Sequence, residues 1–422
     1  MTDPRLSRPR PGPFILLLGF VSLVGYTVRS DISVAQEYLA PDLGLTLSDV
    51  GTITAIGFQL AYTLFQIPAG FLGDRFGARR VLGGALVLWG LGALGSALVP
   101  AGAAFAPLFA ARFLLGMGQA ATYPVGAMAI AQAVPPERRA TANAYFICSA
   151  MLGAALAPLA LAPLMVRFGW RAVFLASAGL ALVAALLWIR FAPAGRSAGA
   201  EPGQARLRPQ FRDSLLLLRD RNLLLLSTGY LLHAAVFFVF IFWFFRYLTE
   251  GRGFSVLASG FWGSLPALTA FLFSPLGGIL ADRVGRGRGR GPEARVRVAI
   301  GCILLAAVLV VVGANLPGPV PAIVALSLSV ACINASEGPL WATATSLKPG
   351  SAGAAGGILN FMGNVGGIIS IWAVPRMKDA WGWTTMLGIW AGVAVVAALL
   401  WSMVRFDRVL SQTDVRKPLS AA

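Results

Sequence analysis

The amino-acid sequence predicts an all-α membrane protein with twelve transmembrane helices in two pseudo-symmetric six-helix bundles. Three observations predict this class: an apolar composition, regularly spaced apolar runs, and arginines concentrated on alternate loops. Hydrophobic residues make up 57% of the 422 residues, charged residues make up 12%, and the mean hydropathy is +0.75. A soluble domain carries about 25% charged residues, which cover its surface. A chain with so few charges is better suited to a surface that faces lipid.

Twelve apolar runs are long enough to cross a bilayer, which takes about 20 residues. The runs are 14–36, 48–71, 81–100, 104–131, 140–165, 171–192, 222–249, 257–280, 298–316, 320–347, 351–374 and 382–404. The first run is longer than the apolar region of a signal peptide, and similar runs follow it. We therefore expect it to be the first membrane span and not a cleaved leader.

The positions of Lys and Arg predict the orientation of these spans. With the N-terminus inside, 26 of these residues fall on the cytoplasmic side and five on the outer side. Positive residues concentrate on the cytoplasmic side of membrane proteins, so both termini are predicted to be cytoplasmic. The net charge of +17 is spread between apolar runs and is not gathered on one face, so we expect no nucleic-acid partner.

The chain is expected to divide at its longest polar stretch. The predicted parts are an N-terminal six-helix bundle (1–192), a cytoplasmic linker (193–221), a C-terminal six-helix bundle (222–404) and a cytoplasmic tail (405–422). The linker is rich in Pro, Gly, Ser and Arg and shows no apolar period. Its basic residues are predicted to contact anionic lipid headgroups.

The two halves carry the same short motif at equivalent places. The pattern G-x-x-x-D-R-x-G covers residues 70–77 after the second span and 278–285 after the eighth span. A single match of this length is weak evidence. Two matches, each at the cytoplasmic end of the second span of its half, indicate an internal repeat.

This doubled motif resembles the signature loop of the major facilitator superfamily. The resemblance covers essentially the whole chain and implies a central cavity and rocking alternating access between the two bundles. It also implies that the loop residues form contacts that gate the cavity. The residues that would do so are Asp74, Arg75, Arg79, Arg80, Asp282 and Arg283. The alternative is that these basic loops only set the topology.

A finer resemblance is to the anion:cation symporter branch, whose members carry sugar acids, aromatic acids and other organic anions. Six stretches along the chain support it: 26–35, 62–70, 112–124, 243–248, 338–342 and 356–364. The first contains Tyr26-Thr-Val-Arg29-Ser-Asp31-Ile-Ser33-Val-Ala35, which is similar to the branch pattern Y-x-D-R-x-x-L-S-V-A. The resemblance implies a transporter of a small organic anion.

Arginines inside the spans are the candidate ligands for such an anion. Charged side chains in a bilayer are costly and usually functional, and a guanidinium can grip a carboxylate with two hydrogen bonds. By resemblance, Arg29 and Arg112 would bind the substrate, unless each pairs with an acid or with helix carbonyls. Tyr62, Trp341 and Asn360 are the neutral candidates for the same cavity, because they offer a hydroxyl, an indole and an amide.

The sequence departs from the branch where the resemblance implies proton carriers. Val28 and Gln119 stand where relatives have acids, and neither side chain can titrate. Asp31 and Glu337 are the candidates to replace them, because a carboxylic acid inside the membrane can exchange protons near neutral pH. Each could help bind Na⁺ instead, or could only neutralise an arginine. The coupling ion is thus H⁺ or Na⁺, and loss of coupling is the remaining alternative.

Two further polar residues lie within the predicted spans. Arg246 could attract anions to the entrance or extend to the membrane interface, and we favour the interface. His233 is more typical of a hydrogen-bonded packing residue than of a proton shuttle. Three cysteines lie in apolar runs without metal-ligand spacing, and no catalytic motif is present. We therefore expect neither an enzyme nor a bound cofactor or metal.

The leading prediction is a monomeric secondary transporter of a small organic anion in a bacterial inner membrane. The main alternative is efflux of a drug or metabolite. Exporters of this superfamily often carry a Gly-Pro-x-x-Gly-Gly element in the fifth span, and residues 153–162 lack its key glycines. A non-transporting sensor or assembly protein on the same scaffold is a third alternative.

Overall fold

A computed structural model of the chain describes residues 11–102, 104–134, 136–193, 219–285, 291–347 and 352–406. These residues are almost entirely helical, and none of them forms a β-strand. The predicted all-α membrane class is therefore confirmed. The α-helices are α1 (Pro11–Asp42), α2 (Leu47–Thr52), α3 (Ala61–Phe76), α4 (Ala78–Ala97), α5 (Phe105–Gln119), α6 (Thr122–Ala133), α7 (Pro136–Phe168), α8 (Trp170–Phe191), α9 (Arg221–Arg246), α10 (Val256–Gly263), α11 (Leu265–Gly285), α12 (Gly291–Asn315), α13 (Pro319–Leu347) and α14 (Ala352–Ser402).

Eleven stretches of the described chain are long and apolar enough to cross a membrane. The last of them, Ala355–Ser402, is 48 residues long and contains Gly382, whose backbone (φ 75°, ψ 169°) is not helical. Glycine adopts this conformation without the steric cost that a side chain would add. Two helices therefore meet at Gly382, and dividing the stretch there is what the predicted count of twelve requires. The first of these two helices continues past residue 374, where the predicted eleventh span ended.

Several spans are built from more than one helical segment. The predicted second span consists of α2, a π-helical segment (Ile53–Leu60) and α3. The predicted fourth span is divided between α5 and α6 at residues 120–121. The start of α2 has a capping box, in which Thr46 and Asp49 exchange side-chain and backbone hydrogen bonds. That exchange satisfies amide groups that the first turn of a helix leaves without partners.

The chain forms two compact units. Unit 1 comprises Met1–Arg206, Phe238–Phe271 and Gly367–Met386, and unit 2 comprises Leu207–Phe237, Leu272–Gly366 and Leu387–Ala422. Unit 1 therefore combines helices α1 to α8 with parts of α9, α11 and α14 and the whole of α10. The predicted division into 1–192 and 222–404 about a 193–221 linker stays a prediction, and most of that linker lies outside the described residues.

Small residues allow the helices of unit 1 to pack closely. Helix α1 packs against α7 and α8, and α4 packs against α5 and α8. A Cβ atom on Gly153 would collide with the carbonyl of Leu23, and one on Gly118 would lie 2.7 Å from the backbone nitrogen of Trp89. In lipid there is no hydrophobic driving force between apolar helices. Membrane helices therefore associate through close van der Waals packing of this kind.

Candidate functional site

Arg29 lies on α1 among aromatic rings. Its guanidinium carbon is 4.3 Å from the centroid of the Tyr62 ring, 4.8 Å from that of Tyr26 and 5.2 Å from that of Phe58. Arg29 is 4% exposed, and its Nε has no hydrogen-bond partner among the described atoms. We call these four residues the Arg29 cluster. A ring face attracts a cation, yet it does not neutralise its charge. The structure thus brings together two of the predicted substrate ligands, Arg29 and Tyr62.

The π-helical segment of the second span positions two of these rings. Phe58 lies in that segment and Tyr62 lies at the start of α3, so their rings are one turn apart and stack with centroids 6.1 Å apart. A π-helical turn contains more residues than an α-helical turn, so the segment changes which side chains of the second span face α1. Such segments are frequent at functional sites. Apolar periodicity does not reveal them, which is why Phe58 was absent from the predicted ligands.

Arg112, the second predicted carboxylate ligand, has a different environment. Its Nη1 donates to Oδ1 of Asp31 at 2.8 Å, and the residues are 1% and 0% exposed. The ring of Phe174 covers the guanidinium, with its centroid 4.5 Å from the guanidinium carbon. From the sequence, Arg112 is predicted to bind the substrate and Asp31 to take part in ion coupling. The structure shows that they form a buried ion pair with each other.

Val28 and Gln119 occupy the positions where the resemblance implied acids. Val28 is fully buried, and the Nε2 atom of Gln119 donates to the carbonyl oxygen of Gly25 at 2.9 Å. This hydrogen bond joins α5 to α1. An amide can make it without changing protonation, so the position contributes packing and polarity to the bundle but no titratable group.

Glu337 lies in unit 2 within a cluster of polar and aromatic side chains. The hydroxyl of Tyr230 donates to Oε1 of Glu337 at 3.0 Å, and Nε1 of Trp341 donates to the Tyr230 oxygen at 3.1 Å. Glu337 and Trp341 are half-buried. The predicted coupling residue and a predicted substrate ligand are therefore connected through Tyr230, which the sequence analysis missed. Tyr230 lies on α9, far from α13 in the chain, so no local pattern pointed to it.

His233 is buried beside this cluster. Its Nε2 lies 2.9 Å from the carbonyl oxygen of Ile333 and 3.0 Å from Oγ of Ser336, and its ring stacks on Tyr230 with centroids 5.3 Å apart. A carbonyl oxygen can only accept, so Nε2 must carry a proton. This is the hydrogen-bonded packing role that we expected for His233.

Asn360, the remaining predicted ligand, is half-buried on α14 in unit 2. Its backbone carbonyl oxygen accepts a hydrogen bond of 2.9 Å from Nδ2 of Asn364. The two asparagines therefore lie one turn apart on the same helix, and the assignment of Asn360 to the substrate cavity stays a prediction.

Arg246 is the centre of an ion-pair network in unit 1, and the expectation that it extends to the membrane interface stays a prediction. Its Nη1 contacts Oε2 of Glu37 at 2.9 Å, and its Nε contacts Oε2 of Glu250 at 2.8 Å. Nζ of Lys378 lies 2.7 Å from Oε1 of Glu250 and 2.7 Å from Oδ1 of Asp379. We call these five residues the Arg246 network. The i,i+4 spacing of Arg246 and Glu250 could have predicted one contact. Glu37 was missed because it lies 209 residues away.

A second contact within unit 1 joins α2 to α14. Nη2 of Arg376 lies 3.2 Å from Oγ1 of Thr52, and a Cβ on Gly51 would come within 2.8 Å of the Pro375 ring. Helix α2 of the N-terminal half therefore touches the part of α14 that belongs to unit 1. Together with the Arg246 network, this contact ties residues of the C-terminal half to α1 and α2.

The predicted gating loops are only partly described. Arg75, Arg80 and Arg283 are exposed, and Nε of Arg79 donates to the carbonyl oxygen of Ile189 at 3.1 Å. The side chains of Asp74 and Asp282 lie outside the described residues. The Arg79 contact joins the start of α4 to the end of α8. The gating role of these loops stays a prediction.

Comparison with known proteins places the chain in a family. The model of the Major Facilitator Superfamily matches residues 15–371, and the chain belongs to this superfamily of transporters. It is 28% identical over 414 residues to a probable galactarate/D-glucarate transporter of Escherichia coli (strain K12), covering 92% of this chain and 91% of that protein. It is 26% identical over 422 residues to a hexuronate transporter of Bacillus subtilis (strain 168), covering 97% and 98%.

A solved structure has the same fold. A bacterial homologue of the human lysosomal transporter Spinster, in an inward-facing and unoccupied conformation, superposes with a TM-score of 0.75 at 19% identity. The match covers 99% of this chain and 100% of that one. The predicted superfamily and its all-helical membrane fold are therefore confirmed.

Proposed function

We propose that this chain is a secondary active transporter that moves a sugar-acid anion across the bacterial inner membrane by rocking alternating access. The observation that carries the proposal is the environment of Arg29. Arg29 is a buried guanidinium with aromatic neighbours, and none of the ion pairs among the described residues involves it. A buried charge is stable when it is paired, and a substrate carboxylate supplies the partner. The relatives that transport galactarate, glucarate and hexuronates agree with this assignment.

The substrate would be held by Arg29 and Tyr62, with Trp341 and Asn360 as further ligands. Arg29 supplies paired donors for the carboxylate. The hydroxyl of Tyr62 and the amide of Asn360 can hydrogen-bond sugar hydroxyls, and the indole of Trp341 can cover a face of the sugar. This division of tasks suits a sugar acid, since it needs one strong anion ligand and several neutral hydrogen-bonding groups.

We assign ion coupling to Glu337 and not to Asp31. The carboxylate of Glu337 has a hydroxyl donor from Tyr230, while the carboxylate of Asp31 is occupied by Arg112. The donors near Glu337 suit a carboxylate that gains and loses a proton better than they suit Na⁺, which needs several oxygen ligands. H⁺ is therefore the proposed coupling ion.

The membrane arrangement follows the sequence analysis. Both termini would be cytoplasmic, the halves would be 1–192 and 222–404, and the loops that contain Asp74 and Asp282 would close the cytoplasmic side. The protein would act as a monomer in contact with membrane lipids. In the alternating-access cycle, the two halves would rock about the bound anion.

The test is transport by the purified protein in liposomes. Uptake of labelled D-glucuronate, D-gluconate and D-glucarate would be measured under separate proton and sodium gradients. We expect accumulation of a sugar acid driven by the proton gradient, and its loss in Arg29→Gln. Arg171→Gln is the matched control, since Arg171 is an exposed arginine paired with Asp42 and should not be needed. Absence of sugar-acid transport, or normal transport by Arg29→Gln, would exclude the proposal.

A further inference from the structure

We infer that the anion site accepts a single negative charge, so that the transporter selects sugar monocarboxylates over sugar dicarboxylates. This inference rests on the proposed function and names the substrate class within it. It follows from the difference in charge neutralisation between Arg112 and Arg29. Arg112 is already neutralised by an acid of the protein, whereas Arg29 is not, so only one guanidinium needs an anion from outside.

The ion pair between Arg112 and Asp31 is almost completely buried. Both side chains are excluded from water, and Phe174 covers the guanidinium face. Separating a buried ion pair leaves two uncompensated charges in a medium of low dielectric constant, which is strongly unfavourable. Nε and Nη2 of Arg112 have no hydrogen-bond partner among the described atoms, but the single positive charge of Arg112 is already balanced by Asp31. Arg112 is therefore a poor second ligand for a dicarboxylate.

Arg29 is in the opposite situation. Its neighbours Tyr26, Phe58 and Tyr62 offer ring faces that attract the cation without cancelling its charge. Arg29 takes part in none of the ion pairs among the described residues of unit 1. One carboxylate on Arg29 would complete its charge balance and its hydrogen bonding together.

The balance of charge favours a monoanion. Arg29, Asp31 and Arg112 together carry one net positive charge within the first and fourth spans of unit 1. A bound monocarboxylate brings this sum to zero. A dicarboxylate brings it to minus one and leaves a carboxylate without a cation inside the membrane, where an unpaired charge is costly. The second carboxylate would have to stay in water or bind a proton.

The test is a comparison of D-gluconate and D-glucuronate with D-glucarate. These acids share a six-carbon hydroxylated chain, and only D-glucarate has a carboxylate at both ends. Binding to the purified wild-type protein would be measured by isothermal titration in detergent. We expect each monocarboxylate to bind at least about tenfold more tightly than D-glucarate, a difference of about 1.4 kcal/mol.

Two variants connect that preference to the buried pair. Asp31→Asn removes the counter-charge of Arg112 and creates a second uncompensated guanidinium, so it should shift the affinity ratio towards D-glucarate. The double variant Asp31→Asn/Arg112→Gln replaces the pair by neutral groups of similar size and should keep the wild-type preference. The double variant leaves the inference testable if Asp31→Asn alone does not fold, as judged by size-exclusion chromatography.

The outcomes separate the two proposals. If neither monocarboxylates nor D-glucarate bind, the proposed function fails. If sugar acids bind but the wild type prefers D-glucarate, or if the double variant loses monocarboxylate binding, only the single-charge inference fails. Loss of binding in the double variant would mean that Arg112 itself holds the substrate.

Discussion

Arg246 and Glu37 form an ion pair of 2.9 Å that joins α9 of the C-terminal half to α1 of the N-terminal half. The side chains are only 23% and 10% exposed, so water screens the pair weakly. Both residues belong to unit 1, in which a hydrogen bond from Arg376 to Thr52 also joins α14 to α2. The pair therefore holds parts of both halves together in the conformation that the structure shows.

The first prediction concerns the energy of this pair. In a double-mutant cycle, Glu37→Gln and Arg246→Gln should show a coupling of about 0.5–3 kcal/mol, because the residues are in contact and partly buried. The cycle would be measured by thermal or denaturant unfolding in detergent. The matched control is the pair of Arg171 and Asp42, whose side chains are 45% and 52% exposed. Water screens an exposed pair strongly, so the coupling in the control cycle should be clearly smaller; equal couplings would contradict the prediction.

The second prediction concerns the ring face of Tyr62. Tyr62→Phe keeps the ring 4.3 Å from the guanidinium of Arg29, whereas Tyr62→Ala removes it. The cation–π interaction contributes about 0.5–2 kcal/mol, and this amount depends on the ring and not on the hydroxyl. We expect Tyr62→Ala to lower protein stability by at least that amount and Tyr62→Phe to preserve it, as measured by thermal unfolding without substrate. A loss of stability as large in Tyr62→Phe would assign the effect to the hydroxyl.

The third prediction separates coupling from transport. Glu337→Gln keeps the shape of the side chain but cannot bind or release a proton. We expect this variant to exchange internal for external sugar acid at a rate near that of wild type, but to lose accumulation driven by a proton gradient. Both reactions would be measured in the same liposomes. Accumulation that survives in Glu337→Gln would exclude Glu337 as the coupling residue.

Tyr230→Phe is the matched variant for this cluster. It removes the hydroxyl that donates to Glu337, while the ring can still stack on His233. If the hydroxyl tunes the proton affinity of Glu337, the pH dependence of driven uptake should move without loss of exchange. An unchanged pH profile would assign the hydroxyl to packing alone.

The fourth prediction concerns the crossing of α11 and α13. A Cβ on Gly277 would collide with the carbonyl oxygen of Ala335, whereas a Cβ on the adjacent Gly278 would meet no atom within 4 Å. Gly277→Ala should therefore lower stability by about 1–3 kcal/mol or more, as overpacking does. Gly278→Ala should be neutral or stabilising by up to about 1 kcal/mol, because alanine favours a helix. Thermal unfolding and yield after extraction would show the difference.

The spans and the superfamily could be predicted from the sequence because their causes are local. Each span is a run of apolar residues, and the repeated G-x-x-x-D-R-x-G motif lies at a fixed place in each half. Residues 120–121 and the segment Ile53–Leu60 are departures from regular helix inside such runs. Hydropathy does not detect them, because regular helix and irregular backbone within an apolar run carry the same apolar side chains.

The candidate site could be predicted only in part, because its partners are distant in the chain. Arg29, Arg112 and Glu337 were recognisable as charges that the membrane makes costly. The pairing of Arg112 with Asp31 spans 81 residues, and that of Glu337 with Tyr230 spans 107. The local sequence does not show whether a buried arginine already has an acidic partner in the protein, as Arg112 has, or lacks one among the described residues, as Arg29 does. That distinction is the basis of the single-charge inference.

Arg29 and Glu37 lie on one helix, α1, which is continuous from Pro11 to Asp42. They are eight positions apart, which is about 12 Å along the helix axis. A rigid helix transmits displacement along its length, so in the proposed function a movement of α1 that brings Arg29 closer to the substrate carboxylate would also shift Glu37 against Arg246. The helix would then act as a lever between the anion and the contact that holds α1 to α9, without a relay of intermediate side chains.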